Sequence, residues 1–354
     1  MPDISRIYPT DRRAMAEVDR LLTGEGIRRD ANLDYICGIY DDDYRLIATG
    51  SCFGNTLRCF AVDHSHQGEG LLNTIVSHLM EYQQMRGISH LFIYTKCASA
   101  RFFRDLGFYE IARVEDSLVF LENHRTGFPD CLERFRRETA AVENNGKGAA
   151  GTIAAIVMNA NPFTLGHQYL VEKAARENDW LHLFLVSEDA SLVPFAVRRR
   201  LVAEGVSHLK NIILHDSGPY IISQATFPSY FQKDAADVSR SHALLDITIF
   251  GKIAGELGVT RRYVGEEPFS EVTGIYNQIM AEQLPTKGID CIIIPRREAG
   301  GTAISASTVR GLLQSGDFTG LSRLVPPSTL AYFQSAEAKP VLEAIRRAGN
   351  VIHH

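Results

Sequence analysis

The chain has 354 residues, 45% apolar and 22% charged, with a formal net charge of −5 at pH 7. That length predicts two globular domains, and the acidic balance argues against a general nucleic-acid or anionic-membrane surface. No apolar run approaches the roughly 20 residues that span a bilayer, "MPDISRIYPTDRR" puts charges where a signal peptide needs an apolar core, and six scattered cysteines without a C-x-x-C pair fit free thiols in a reducing cytoplasm.

The first predicted elements are strands. "YICGIYD", "RLIATGSCFG" and "LRCFAVD" read as an antiparallel meander with its first turn at Asp42-Asp43. "GLLNTIVSHLMEYQQMRG" has apolar residues at helical spacing and stops at Gly87. "HLFIYTK", a short helix through "ARFFRDLGF", and "EIARVEDSLVFLE" complete an α+β unit over residues 1–138. "CLERFRRE" closes it as a helix, and "TAAVENNGKGAAG", residues 139–151, reads as a linker of small and polar residues.

Over residues 152–354 strands and helices alternate. The strands are "TIAAIVM", "WLHLFLVS", "NIILHDS", "RRYVGE" and "DCIIIPR". Between them lie "GHQYLVEKAAREN", "AVRRRLVAEGVSHL", "SHALLDITIFGKIAGEL" and "EVTGIYNQIMAEQL", with further helices at the C-terminus. Such alternation predicts an α/β doubly wound parallel sheet, with ligands at the carboxyl ends of its strands.

Two segments at that edge carry the chemistry. "MNANPFTLGHQYLVEKA" turns from the first strand into a helix. Asn159 and Asn161 lie on the turn, Gly166 permits close approach of backbone, and His167 falls in the first helical turn, where unpaired N–H groups and the helix dipole suit phosphate. Thr164 adds a hydroxyl, and an imidazole there can donate to charge developing during transfer. "AISASTVRGLL" follows the last strand through Gly300-Gly301; Ser305 and Ser307 can cap a helix, and Arg310 can pair with a pyrophosphate. Taken singly, each segment also reads as an ordinary capped helix. Arg198 in "PFAVRRR" and the Gly265-Glu266 strand end are further candidates to border a nucleotide. "SGPYIISQATFPSYF" is too apolar for a routine surface loop and reads as a pocket wall or as core.

Thr164-Leu165-Gly166-His167 resembles the T/H-x-G-H signature of the adenylyl-transferring nucleotidyltransferases, and "ISASTVR" resembles their late I-S-x-x-x-x-R signature. With "PFAVRRRLV", "SGPYIISQATFPSYF" and "RYVGEEPFSEVTGIYN", the likeness narrows to the citrate lyase ligase family and covers nearly the whole chain. The resemblance implies an AMP-forming ligase. ATP and acetate would acetylate the thiol of the phosphoribosyl-dephospho-coenzyme A group on the citrate lyase acyl carrier subunit. His167, Thr164 and Arg310 would be its catalytic residues. Mg²⁺ is expected with the phosphates, without a dedicated metal site on the protein. "VDHSHQGEGLLNTIVSHLM" and "SARFFRDLGF" resemble the acyl-coenzyme A loop and a later segment of the GNAT acetyltransferases. Gly68 and Gly70 fit the Q/R-x-x-G-x-G/A pattern, while Ser65 stands where it has Gln or Arg. The resemblance implies a GNAT-like N-terminal domain, which either docks a coenzyme-A-like group, Gly68 and Gly70 holding it, or is purely structural. Two alternatives stay open on the residues alone: a cofactor-biosynthesis adenylyltransferase of the phosphopantetheine or nicotinamide mononucleotide type, and a sensor that binds nucleotide without chemistry.

Overall fold

The computed structural model describes residues 3–143, 151–221, 227–228, 235–266, 271–300 and 302–348. It divides into unit 1, Met1–Phe128 with Pro228–Ser241, and unit 2, Pro129–Phe227 with His242–His354.

Unit 1 contains β1 (Ile4–Ile7), α1 (Arg12–Gly24), β2 (Tyr35–Tyr40), β3 (Leu46–Phe53), β4 (Thr56–Val62), α2 (Leu71–Met85), β5 (Phe92–Thr95), α3 (Ala100–Asp105), β6 (Tyr109–Val114) and β7 (Leu118–Glu122). One sheet runs β1-β2-β3-β4-β5-β7-β6. Strands β2, β3 and β4 form the expected antiparallel meander. β4 and β5 pair in parallel over only Thr56↔Phe92 and Leu57↔Ile93, so they part beyond Leu57. Apolar residues of α1, Met15, Val18, Leu21 and Leu22, cover Ile7, Ile36 and Leu46. Leu71, Ile75, Val76 and Leu79 of α2 cover Tyr35, Cys37 and Ile39. Neighbours Ile36 and Cys37 thus enter different cores, which is why the central strands read as continuous apolar runs. β1 and α1 lie outside the sequence expectation. β1 has four residues, and α1 begins on Asp11, whose carboxylate accepts from the N–H groups of Arg13 and Ala14.

The chain then enters α4 (Gly127–Glu143), followed in unit 2 by β8 (Ile153–Met158), α5 (Leu165–Glu177), β9 (Trp180–Leu185), α6 (Phe195–Gly205) and β10 (Ile212–Asp216). α7 (Ala235–Leu257), β11 (Arg261–Gly265), α8 (Glu271–Gln283) and β12 (Asp290–Ile294) follow, then a hairpin of β13 (Glu298–Ala299) and β14 (Thr302–Ala303). The C-terminal helices are α9 (Ala306–Ser315), α10 (Phe318–Leu321), α11 (Pro327–Gln334) and α12 (Lys339–Arg347). All five expected strands form one parallel sheet ordered β10-β9-β8-β11-β12. Counted from β8 the order is 3-2-1-4-5, a doubly wound sheet whose direction of winding reverses between β8 and β11.

The linker expected at 139–151 is shorter than its composition suggests. Residues 139–143 continue α4, most of which belongs to unit 2. Phe135 is fully buried, its ring 5.2 Å from Phe184. Glu138 Oε2 lies 2.5 Å from His215 Nδ1, and Arg134 donates to the Asp216 carbonyl at 2.9 Å. Small polar composition at 139–143 conceals a helix end because the anchoring residues lie one and two turns upstream. Residues 144–150 lie outside the described residues.

Candidate functional site

The turn after β8 is fixed from beneath by one arginine. Arg198 of α6 is fully buried. Its Nε donates to the Val193 carbonyl, Nη1 to the carbonyls of Asn159 and Val186 and to Asn159 Oδ1, and Nη2 to the Glu188 carbonyl, at 2.6–2.9 Å. From sequence Arg198 reads either as a partner for a phosphate or carboxylate or as a solvated cation; in the structure its guanidinium is buried among these oxygens. Burial lowers its pKa. Asn159, with its carbonyl and Oδ1 held by Arg198, donates from Nδ2 to Ser191 Oγ at 3.0 Å. Asn161 Oδ1 accepts from the Val193 N–H, and its carbonyl accepts from Arg310 Nη1 at 2.7 Å. Between the two asparagines Ala160 holds φ at +53°, a left-handed state that costs a non-glycine residue about 1–2 kcal/mol. Clamps on both sides hold it there. Arg198→Lys should lower unfolding stability by about 3 kcal/mol, because a point ammonium cannot satisfy these buried carbonyls. Urea denaturation checks this, and an unchanged midpoint would return Arg198 to the role of a surface cation.

Thr164 caps α5. Its hydroxyl accepts from the His167 N–H at 3.2 Å, and the Thr164 N–H donates to His167 Nδ1 at 3.1 Å, a reciprocal capping box. Glu or Gln usually fills the third position of such a box. With Nδ1 accepting from a backbone amide, the neutral ring carries its proton on Nε2. Burial and, secondarily, the Arg296 charge push the His167 pKa down to about 4, so at neutral pH the ring is an uncharged N–H donor. The Leu165 N–H is taken by the Leu324 carbonyl, which leaves the Gly166 N–H as the first-turn amide without a partner among the described residues.

A Cβ on Gly166 would stand 3.1 Å from the Ile304 carbonyl. The backbone that approaches Gly166 is therefore the late "ISAS" segment, and this contact joins the two candidate motifs. Ser305 caps α9, accepting from the Thr308 N–H at 3.0 Å, with Ser307 Oγ 2.9 Å from its own Oγ. Arg310 is 6% exposed and has no ion pair among the described residues; burial lowers its pKa. Gly265 ends β11, its carbonyl held by Asn277 Nδ2. Glu266 is exposed, and its N–H donates to the Ile294 carbonyl. Two participants were not anticipated. Arg296, just past β12, donates to the Glu266 carbonyl at 2.7 Å, and Ser191 steadies Asn159. Arg296 was readable from position, since "DCIIIPR" ends at the ligand edge.

In unit 1 Gly68 and Gly70 hold φ at +92° and +76°. Both are exposed, and Gly70 begins α2 without a side-chain cap. Ser65 is turned to Asp63, which accepts from its N–H and its hydroxyl.

The parallel sheet, with both motifs at the carboxyl end of its strands, defines unit 2 as a doubly wound α/β domain of the nucleotidyltransferase kind. The profile described as the citrate lyase ligase C-terminal domain matches residues 153–333. A citrate (pro-3S)-lyase ligase of Klebsiella pneumoniae is 38% identical over 335 residues, 93% of this chain and 95% of that protein. A protein of the same name from Escherichia coli is 38% identical over 340 residues, 94% of this chain and 93% of that protein. The chain belongs to the citrate lyase ligase family. Among solved structures, an acetyltransferase of the GNAT family from Staphylococcus aureus covers 34% of this chain and all of that chain, at 13% identity and a TM-score of 0.29. The fold of unit 1 rests on its own strand order. No described helix is long and apolar enough to cross a membrane.

Proposed function

We propose that unit 2 adenylylates acetate with ATP and that the acetyl group passes to the prosthetic thiol of the citrate lyase acyl carrier subunit. The observation that carries this reading is the Gly166–Ile304 contact, which puts a neutral imidazole donor and a Ser-capped helix bearing a buried arginine beside one strand end. A carboxylate oxygen of acetate bonds to the α-phosphorus, the bond to the bridging β-oxygen breaks, and pyrophosphate leaves. The carrier thiol, its proton lost to solvent, then attacks the acetyl carbon and AMP departs. Phosphoryl chemistry of this kind depends on positioning and charge neutralisation. His167 Nε2–H, the Gly166 N–H and Thr164 serve the α-phosphate; Ser305, Ser307 and Arg310 serve the leaving pyrophosphate. Gly265 and Glu266 border the nucleotide from β11. Mg²⁺ would take its ligands mainly from the phosphates.

In unit 1 the Gly68–Gly70 turn and the uncapped start of α2 suit a pyrophosphate. The divergence of β4 from β5 leaves unpaired strand backbone that can meet the amides of a pantetheine arm. Docking of the carrier's prosthetic group is the role these features support.

Pyrophosphate–ATP exchange tests the first half-reaction, with acetate, phosphopantetheine and nicotinamide mononucleotide offered separately. Only acetate should stimulate it. Stimulation by one of the others would make the chain a cofactor-biosynthesis adenylyltransferase, and none at all would make it a sensor. Arg310→Ala should weaken ATP and pyrophosphate about tenfold and AMP much less, because AMP lacks the group Arg310 serves. Equal losses for ATP and AMP in calorimetry would assign Arg310 to the Asn161 turn alone.

A further inference from the structure

Buried arginines in unit 2 differ in one respect. Arg198 has an oxygen acceptor for each of its three guanidinium nitrogens, whereas Arg262 does not. Arg262 lies on β11, is 3% exposed, and sets Nη2 2.7 Å from Asp246 Oδ2 on α7. Its Nε and Nη1 are buried without a hydrogen-bond partner among the described residues. Unmade bonds to a charged buried donor are costly, so folded proteins fill such positions with water or with a ligand.

We propose that Arg262 and Tyr276 form the seat for the carboxylate of the acyl substrate, a small monocarboxylate of the size of acetate. The proposal rests on the acetate-activating reading above and adds the residues that recognise the acid. Burial raises the pKa of the Tyr276 hydroxyl on α8, with the Asp246 carboxylate raising it further and the Arg262 guanidinium opposing. The Phe250 ring lies 4.3 Å from Arg262 Cζ. The His242 ring lies 5.5 Å from Tyr276 and 4.7 Å from Phe227, so the polar centre is walled by aromatic surface suited to a methyl group. Phe227 belongs to the aromatic segment that reads from sequence as a pocket wall or as core; residues 222–226 and 229–231 of it lie outside the described residues.

Position supports the same assignment. β11 flanks the reversal point by pairing with β8, and Asn277, the neighbour of Tyr276, holds the Gly265 carbonyl at the strand end. Arg262 is the second residue of β11, three before its carboxyl end at Gly265, and Tyr276 lies on the helix whose Asn277 reaches that end. Tyr276 as a whole residue is half-buried. Asp246 already balances most of the Arg262 charge, so a second carboxylate is held loosely. Loose holding suits a nucleophile whose oxygen must stay free to attack phosphorus.

The test uses the full chain with acetate as the probe. Arg262→Lys keeps a cation opposite Asp246 and removes the other guanidinium donors. It should raise the acetate KM in pyrophosphate exchange at least tenfold and leave the ATP KM within about twofold. Saturation-transfer NMR of the acetate methyl, recorded without ATP, should weaken in parallel. Unchanged acetate KM and unchanged saturation transfer in a folded R262K would overturn the seat while leaving the adenylation reading intact. If wild-type exchange proves independent of acetate, that reading falls, and the NMR comparison still decides the seat: transfer lost in R262K upholds it and transfer retained overturns it. Should R262K fail to fold by circular dichroism, Tyr276→Phe replaces it, with a threefold or greater rise in acetate KM expected and no rise overturning the proposal.

Discussion

His167→Ala is expected to slow acetate-dependent pyrophosphate exchange by about a hundredfold or more, the usual consequence of removing a donor that acts on developing charge. The fold should survive. Thr164 still caps α5 through its hydroxyl, which accepts from a backbone N–H that alanine keeps. With its pKa near 4, His167 keeps the same protonation state from pH 8 to pH 5.5, so the wild-type exchange profile should show no limb from this group in that range. Stability behaves differently. The unfolded imidazole binds a proton near pH 6.5 and the folded one only near pH 4, so protons favour the unfolded chain between those values. Stability from this group is whole above pH 6.5 and is lost as pH falls toward 4. His182, pushed down by burial to about 3, acts in the same direction. Thermal melts at pH 7 and pH 5 should therefore show a smaller acid loss for His167→Ala than for the parent chain. Near-normal exchange in the folded variant would leave His167 as a helix cap only.

Local signals explain what the sequence disclosed. Strands such as Ile153–Met158 and helices such as Leu165–Glu177 are legible because apolar period and flanking turns are short-range properties. The caps at Thr164 and Ser305 are legible for the same reason: each bonds within three residues. Burial is not short-range. Arg198, Arg199 and Arg200 are consecutive, yet Arg198 is fully buried while Arg199 pairs with Asp216 and Arg200 with Glu337 near the surface. No pattern within "PFAVRRR" separates them. Gly166 was legible as a point of close approach, but its neighbour is 138 positions away at Ile304 (304 − 166), a contact that only the sheet order creates. Arg262 reads as one charge in a strand, and its unfilled donors emerge only when α7 and α8 close over it.

Replacing both Gly68 and Gly70 by Ala should separate the two half-reactions. Acetate-dependent pyrophosphate exchange should stay within about twofold of the parent. Acetylation of the carrier subunit at sub-saturating concentration should fall about a hundredfold, because a docked arm gains effective concentration that a free one lacks. A methyl group added at either position meets no atom within 4 Å, so crowding is not the cause. Backbone is: φ values of +92° and +76° strain any residue with a Cβ, and the turn will leave the path that, on the proposed role, would aim its amides at a phosphate. Substitution in the full chain is a cleaner separation than truncation. A cut near residue 148 would remove α4 and expose Phe184 and His215, which Phe135 and Glu138 cover. A cut before α4 would still strand Pro228–Ser241, which group with unit 1. Equal losses in both assays would mean that unit 1 sustains adenylation itself. Unchanged transfer in a variant whose turn is altered would leave the Gly68–Gly70 segment with no part in docking the prosthetic group.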